Sequence, residues 1–212
     1  MDKLIEINEI IQKGRAKIAV KLVKEALDSG IKADTILKEA ILPAMNEVGI
    51  KFKNEEIFVP EVLIAARATN KSVEVLKPFL SEDATKVSGS VVIGTVKGDL
   101  HDIGKNLVRI MLEGKGIVVH DLGTDVLAER FVEEALEKNV DIICCSALLT
   151  TTMPEMKKVV DLVKERNLDF KVMIGGAPIT QEYCDEIGAD CYTDDAASAS
   201  EEAVRLILEK GQ

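Results

Sequence analysis

Tryptophan is absent from the 212 residues and aromatic side chains make up only 3% of them. The core must therefore be filled by Ile, Val, Leu and Ala. Cysteine is limited to four positions (Cys144, Cys145, Cys184, Cys191), none in Cys-x-x-Cys spacing, so a redox motif or a zinc ribbon has no support. Cys144 and Cys145 end an apolar run and should point to opposite faces of a strand as small buried hydrophobes. Positive charge is in deficit, 27 Lys and Arg against 37 Asp and Glu, for a net charge of −10. That balance disfavours nucleic acid and anionic membrane surfaces, both of which need basic patches. No apolar run reaches membrane-spanning length, and the start Met1-Asp2-Lys3-Leu4 lacks the apolar core of a signal segment. The expectation is a soluble, cytoplasmic protein. Two nucleotide-binding signatures are missing as well. Gly94-x-x-x-Gly98 followed by Gly104 is not the dinucleotide fingerprint, and no phosphate loop ending in Gly-Lys-Ser/Thr occurs.

What is present divides by period. Residues 1–80 carry helical stripes: Leu4, Ile7, Ile10 and Ile11, then Ile18, Leu22, Val23, Ala26 and Leu27, stopped by Ser29-Gly30. Asp34 is placed to cap a third helix through Met45, with Pro43 predicting a kink, and residues 47–57 read as a break or short helix. A fourth helix starts at Pro60 and runs through Leu76. Its Ala65, Ala66 and Ala68 suggest either close helix packing or a smooth outer face for a flat ligand. Residues 81–90 hold breakers and are read as a linker. From residue 91 to 212 five strand candidates (91–96, 117–122, 140–146, 170–174, 190–193) alternate with helical patterns. The fold class predicted is α/β: a four-helix bundle cap followed by a Rossmann-like (flavodoxin-like), doubly wound, five-stranded parallel sheet of order 2-1-3-4-5.

Chemistry concentrates after the first strand, in Asp99-x-His101-x-x-Gly104. A neutral imidazole is a common metal ligand, and its second nitrogen usually donates to a carboxylate, here Asp99. Gly104 would let something bulky approach the start of the next helix. The third strand is followed by Ser146-Ala-Leu148-Leu-Thr150-Thr-Thr152, the fourth by Gly175-Gly176-Ala-Pro. In the order 2-1-3-4-5 these three segments converge at one sheet edge, and the small residues leave a slot flanked by hydroxyls. A bulky residue at Gly175 or Gly176 would be expected to block the slot with the fold intact. His120 lies within a strand and reads as structural.

These motifs, with 41 residues (105–145) and 26 residues (149–174) between them, resemble the signature of cobalamin-binding domains that replace the cofactor's lower base with a protein histidine. The spacing is similar to that of the cobalamin domain of methionine synthase, and the segments after the third and fourth strands look closest to corrinoid proteins of methylamine, methanol and methoxyaromatic methyltransferase systems. The resemblance implies cobalamin or a related corrinoid, with its own base displaced and His101 as the lower cobalt ligand. Asp99 would hydrogen-bond His101, and Thr152 stands where methionine synthase has the serine of an Asp–His–Ser relay. Gly98, Leu100, Asp102, Ile103, Gly104, Ser146, Leu148, Thr150, Gly175, Gly176 and Ala196 would line the cofactor, and Phe58 would shield its upper face from a movable cap. The implied function is a carrier with no activity expected alone. It would accept a methyl group on cobalt from a substrate-specific methyltransferase and present it to a second one acting on tetrahydrofolate or coenzyme M, with a reductive activase as a further partner. The alternative is the small cobalamin-binding subunit of an adenosylcobalamin-dependent mutase, which would not carry the helical half.

Overall fold

The computed structural model describes residues 3–80 and 89–210, which form two compact units. The first is helical: α1 (Lys3–Gln12), α2 (Ala16–Asp28), α3 (Ala33–Ile36), a π-helical segment (Leu37–Ile41), α4 (Leu42–Lys53) and α5 (Val59–Leu76). Ile7, Ile11, Leu22, Val23, Ala26, Ile36, Ala40, Ile41 and Leu76 build its core. Several local expectations are corrected. Ile18 is off the buried stripe, 43% exposed, and Ala19 takes its place. Asp34 lies inside the first turn of α3, whose N-cap is Lys32. Pro43 produces no simple kink. It follows a π segment in which the Leu42 N–H reaches back to the Leu37 carbonyl, so the ladder widens just ahead of a residue that cannot donate. Residues 47–53 continue α4 rather than breaking it.

Phe58 is the N-cap of α5, with Pro60 in the first turn. Its side chain has no acceptor, so only half of a capping box forms: the Phe58 N–H donates to Glu61 Oε2 at 3.1 Å. Ala65, Ala66 and Ala68 are all buried, not an open outer face, while Leu63 and Ile64 are the exposed apolar residues nearby.

The second unit alternates β1 (Ser90–Thr95), α6 (Ile103–Gly114), β2 (Val118–Asp121), α7 (Ala128–Lys138), β3 (Ile142–Ser146), α8 (Pro154–Glu165), β4 (Lys171–Gly175), α9 (Gln181–Ile187), β5 (Cys191–Tyr192) and α10 (Ala196–Lys210). The sheet is parallel throughout in the order β2-β1-β3-β4-β5. Period-two alternation splits the strand residues between two cores. Val92, Ile143, Cys145, Val172 and Ile174 pack with α7, α8 and α9. Val91, Ile93, Ile142, Cys144 and Met173 pack with α6 and α10. The neighbouring cysteines thus serve opposite faces. All four cysteines are buried and unpaired, and burial pushes the Cys144 thiol up to about 12 and the Cys191 thiol up to about 11. They act as small hydrophobes. The expected linker 81–90 lies outside the described residues as far as 88, and β1 begins at its last residue, Ser90. Among the described residues no helix is long and apolar enough to cross a membrane.

Candidate functional site

At the carboxyl edge of the sheet the loop after β1 meets the loop after β3, and Asp99 joins them. Its side chain has no accessible surface. Oδ1 accepts the His101 imidazole Nδ1 at 2.8 Å and the His101 backbone N–H at 3.0 Å. Oδ2 accepts the N–H groups of Leu148 at 2.7 Å and Leu149 at 3.2 Å, and lies 2.9 Å from Thr152 Oγ1. The Thr152 hydroxyl also lies 2.9 Å from the Leu149 carbonyl. It has one proton, and the carboxylate is the stronger acceptor. Burial alone would raise the Asp99 pKa. The hydrogen bonds from the His101 and Leu148 amides, the imidazole and Thr152 outweigh it and hold the carboxyl well below the usual range. Asp99 is therefore an anion at neutral pH. An anion facing Nδ1 keeps the proton on that nitrogen, which puts the lone pair of a neutral ring on Nε2.

Nε2 has no partner among the described residues, and the ring is half exposed. The backbone beneath it is fixed from a second direction, because fully buried Thr95 donates its hydroxyl to the His101 carbonyl at 2.9 Å. Around the ring stand large apolar side chains left open to solvent: Leu100 at 72%, Ile103 at 78%, Leu148 at 42% and Leu149 at 41% exposed. An apolar rim of this kind marks a binding surface.

The glycines separate into two groups. Gly98, at φ +80, and Gly176, at φ +142, occupy backbone conformations that other residues rarely adopt. A Cβ on Gly176 would stand 1.8 Å from the Ala147 carbonyl oxygen, so the β3 and β4 loops close only with glycine there. Gly104 and Gly175 are different. A Cβ on Gly104 would meet nothing within 4 Å, and on Gly175 only the Thr193 carbonyl at 3.9 Å. The fold does not require glycine at these two positions, which instead keep space open at the site. Ser146 and Thr150 carry hydroxyls with no partner among the described residues; Asp102 accepts Asn106 Nδ2 at 3.0 Å at the start of α6. Ala196 is buried in the first turn of α10 and has little surface to offer a ligand. Phe58 belongs to the helical unit and is 65% exposed. His120 sits on edge strand β2, opposite Val92.

Among the described residues no group of three or more His, Cys, Asp or Glu could hold a metal ion. One imidazole lone pair suffices only for a metal that brings its other ligands with it. A corrin does so, and the apolar rim and the two open glycines suit a broad macrocycle. Comparison with known proteins agrees. Residues 89–204 and residues 6–77 each match a family described as a B12 binding domain. The chain is 44% identical over 194 residues to dimethylamine corrinoid protein 1 of Methanosarcina acetivorans, covering 90% of this chain and 91% of that one.

The chain belongs to the B12-binding corrinoid proteins.

Its cofactor is cobalamin or a related corrinoid. Two solved corrinoid structures extend the likeness. The methanol:cobalamin methyltransferase complex MtaBC of Methanosarcina barkeri matches with a TM-score of 0.89 at 30% identity, over 98% of this chain and 80% of that one. A cobalamin-binding protein of Desulfitobacterium hafniense matches with a TM-score of 0.79 at 31% identity, over 96% and 98%.

Sequence reasoning missed Thr95 and Asp125, which bind the backbone of the loop that carries His101. Thr95 had a signal: it is the one hydroxyl within Val91–Val96, at the strand's carboxyl end. Asp125 had none, because its role rests on a left-handed backbone at φ 56.

Proposed function

We propose that this protein is the methyl-carrying corrinoid subunit of a methylamine-type methyltransferase system, with His101 as the lower cobalt ligand. The observation that carries the reading is the His101–Asp99 pair: one free Nε2 on a ring oriented by a buried anion, with no cluster of three or more metal-binding side chains among the described residues. When bound, the corrinoid supplies a cobalt centre that accepts and gives up a methyl group. The chain's own residues hold and orient. Asp99 sets the imidazole tautomer, Thr152 and the Leu148 amide hold Asp99, and Gly104 and Gly175 keep room for the cofactor. Gly98, Leu100, Asp102, Ile103, Ser146, Leu148 and Thr150 line the same edge. A water-excluding apolar rim suits a centre whose reduced form is easily quenched.

Identity to dimethylamine corrinoid proteins supports a methylated amine as donor. The partners on this reading are a methyltransferase for that donor, a second methyltransferase that removes the methyl group, and a reductive activase. A match of residues 6–77 to a second family described as a B12 binding domain supports this reading over a mutase subunit. The test is reconstitution with cobalamin, chemical reduction to cobalt(I), and mixing with dimethylamine, monomethylamine and methanol methyltransferases in turn, each with its own methylated substrate. Methylation of the bound corrinoid, followed by its absorption spectrum, should occur with a methylamine enzyme. Methylation only with the methanol enzyme would reassign the donor, and none with any would reject the carrier reading.

A further inference from the structure

The loop after β2 grips the loop that carries His101. The exposed Asp125 accepts the Gly98 N–H at 2.8 Å and pairs with Lys97 Nζ at 3.1 Å, while its own N–H donates to the Asp99 carbonyl at 3.0 Å. One residue thus binds the Lys97–Gly98 peptide through its N–H and the Asp99–Leu100 peptide through its carbonyl. The hydrogen bonds to the Asp99 carboxylate fix its side chain, and the Asp99 N–H donates to the Val96 carbonyl at 3.1 Å. The backbone is held by Asp125 at Gly98 and Asp99 and by Thr95 at His101. Asp125 does this from φ 56, where Asp and Asn are tolerated better than most side chains. It belongs to neither apolar core of the unit.

We propose that Asp125 is a positioning residue for the lower axial ligand: by binding the Gly98 N–H and the Asp99 carbonyl it holds loop 97–101 in the conformation that directs His101 Nε2 outward. This rests on the reading that His101 binds cobalt.

The test uses the full chain with Asp125→Ala, Asp125→Gly and Asp125→Asn, and with Lys97→Ala to separate the ion pair from the backbone grip. In the cofactor-free protein, the Gly98 amide should exchange with solvent about three- to tenfold faster in the Ala and Gly variants, the loss of one net hydrogen bond. It should stay near the wild-type rate in the Asn variant, whose amide oxygen accepts the same N–H. In protein loaded with cobalamin and reduced to cobalt(II), the ratio of imidazole-bound to unbound cobalt, read by paramagnetic resonance, should fall about three- to tenfold in the Ala and Gly variants. Asn should restore it and Lys97→Ala should leave it unchanged. Asp125 is exposed, so all variants should keep the wild-type far-ultraviolet spectrum. An Ala variant with wild-type Gly98 exchange and wild-type imidazole binding would overturn the proposal. A Gly variant that keeps imidazole binding while Ala loses it would also overturn it, because backbone strain would then be the cause. If the wild type shows no imidazole on cobalt, the ligand assignment fails while Gly98 exchange still reports the grip.

Discussion

Asp99 is a carboxylate without accessible surface, a placement that costs several kcal/mol unless the charge is met by donors. Here donors from two loops meet it, so the residue that orients the imidazole also ties the β1 and β3 loops together. The consequence is a pH dependence of stability. The folded-state pKa is depressed, so the contribution of Asp99 is complete above the unfolded-state value near 4 and is lost as pH falls through the lower folded value. Asp99→Asn lacks this titration and aims an amide at groups that donate. Urea unfolding should show it less stable than wild type by about 2–3 kcal/mol at pH 7, with a constant gap down to pH ~5 that narrows below pH ~4. A gap that widens in acid would contradict the ionised state. The glycine pair gives a second prediction at this scale. Gly175→Val should fold normally and lose cobalamin binding in an absorption titration, because its Cβ would meet nothing closer than the Thr193 carbonyl at 3.9 Å. Gly176→Val should instead lose about 3 kcal/mol or more of stability, from its φ of +142 and the clash with Ala147. The sequence presents these two glycines as equivalent; their backbones do not.

At the scale of elements, the site depends on how β1 sits on the helices beneath it. Gly94 lacks a Cβ where the ring of fully buried Phe131, from α7, comes to 2.8 Å of that position. Gly94→Ala should cost about 1–3 kcal/mol by overpacking, and Phe131→Leu in the same chain should recover part of it. Additive losses in the double variant, measured by denaturant unfolding, would show that the two do not pack against each other. Elements of this kind were largely legible in the sequence. Strand–helix alternation after Ser90 and the opposite facing of Cys144 and Cys145 follow from periodicity, because burial on one or both faces dictates where apolar residues recur, and the sheet order follows from the doubly wound class that the alternation implies. The helical half was harder. Ladder geometry near Pro43 and the cap of α3 are settled by backbone hydrogen bonds that composition does not encode. At the site, Asp99-x-His101 announced itself, whereas the grip of Thr95 and Asp125 did not, since both act on peptide groups.

At the scale of the whole molecule, two units each have an apolar core of their own, and the site offers one imidazole, with no cluster of three or more metal-binding side chains among the described residues. On the proposed reading His101 holds cobalt through Nε2. The direct measurement is paramagnetic resonance of the cobalt(II) form in protein grown with 15N-labelled histidine and reconstituted with unlabelled cobalamin. Splitting of the cobalt signal by a single 15N nucleus, absent in His101→Ala and retained in His120→Ala, is the predicted result. Splitting by 14N from the cofactor's own base, unchanged by His101→Ala, would contradict it.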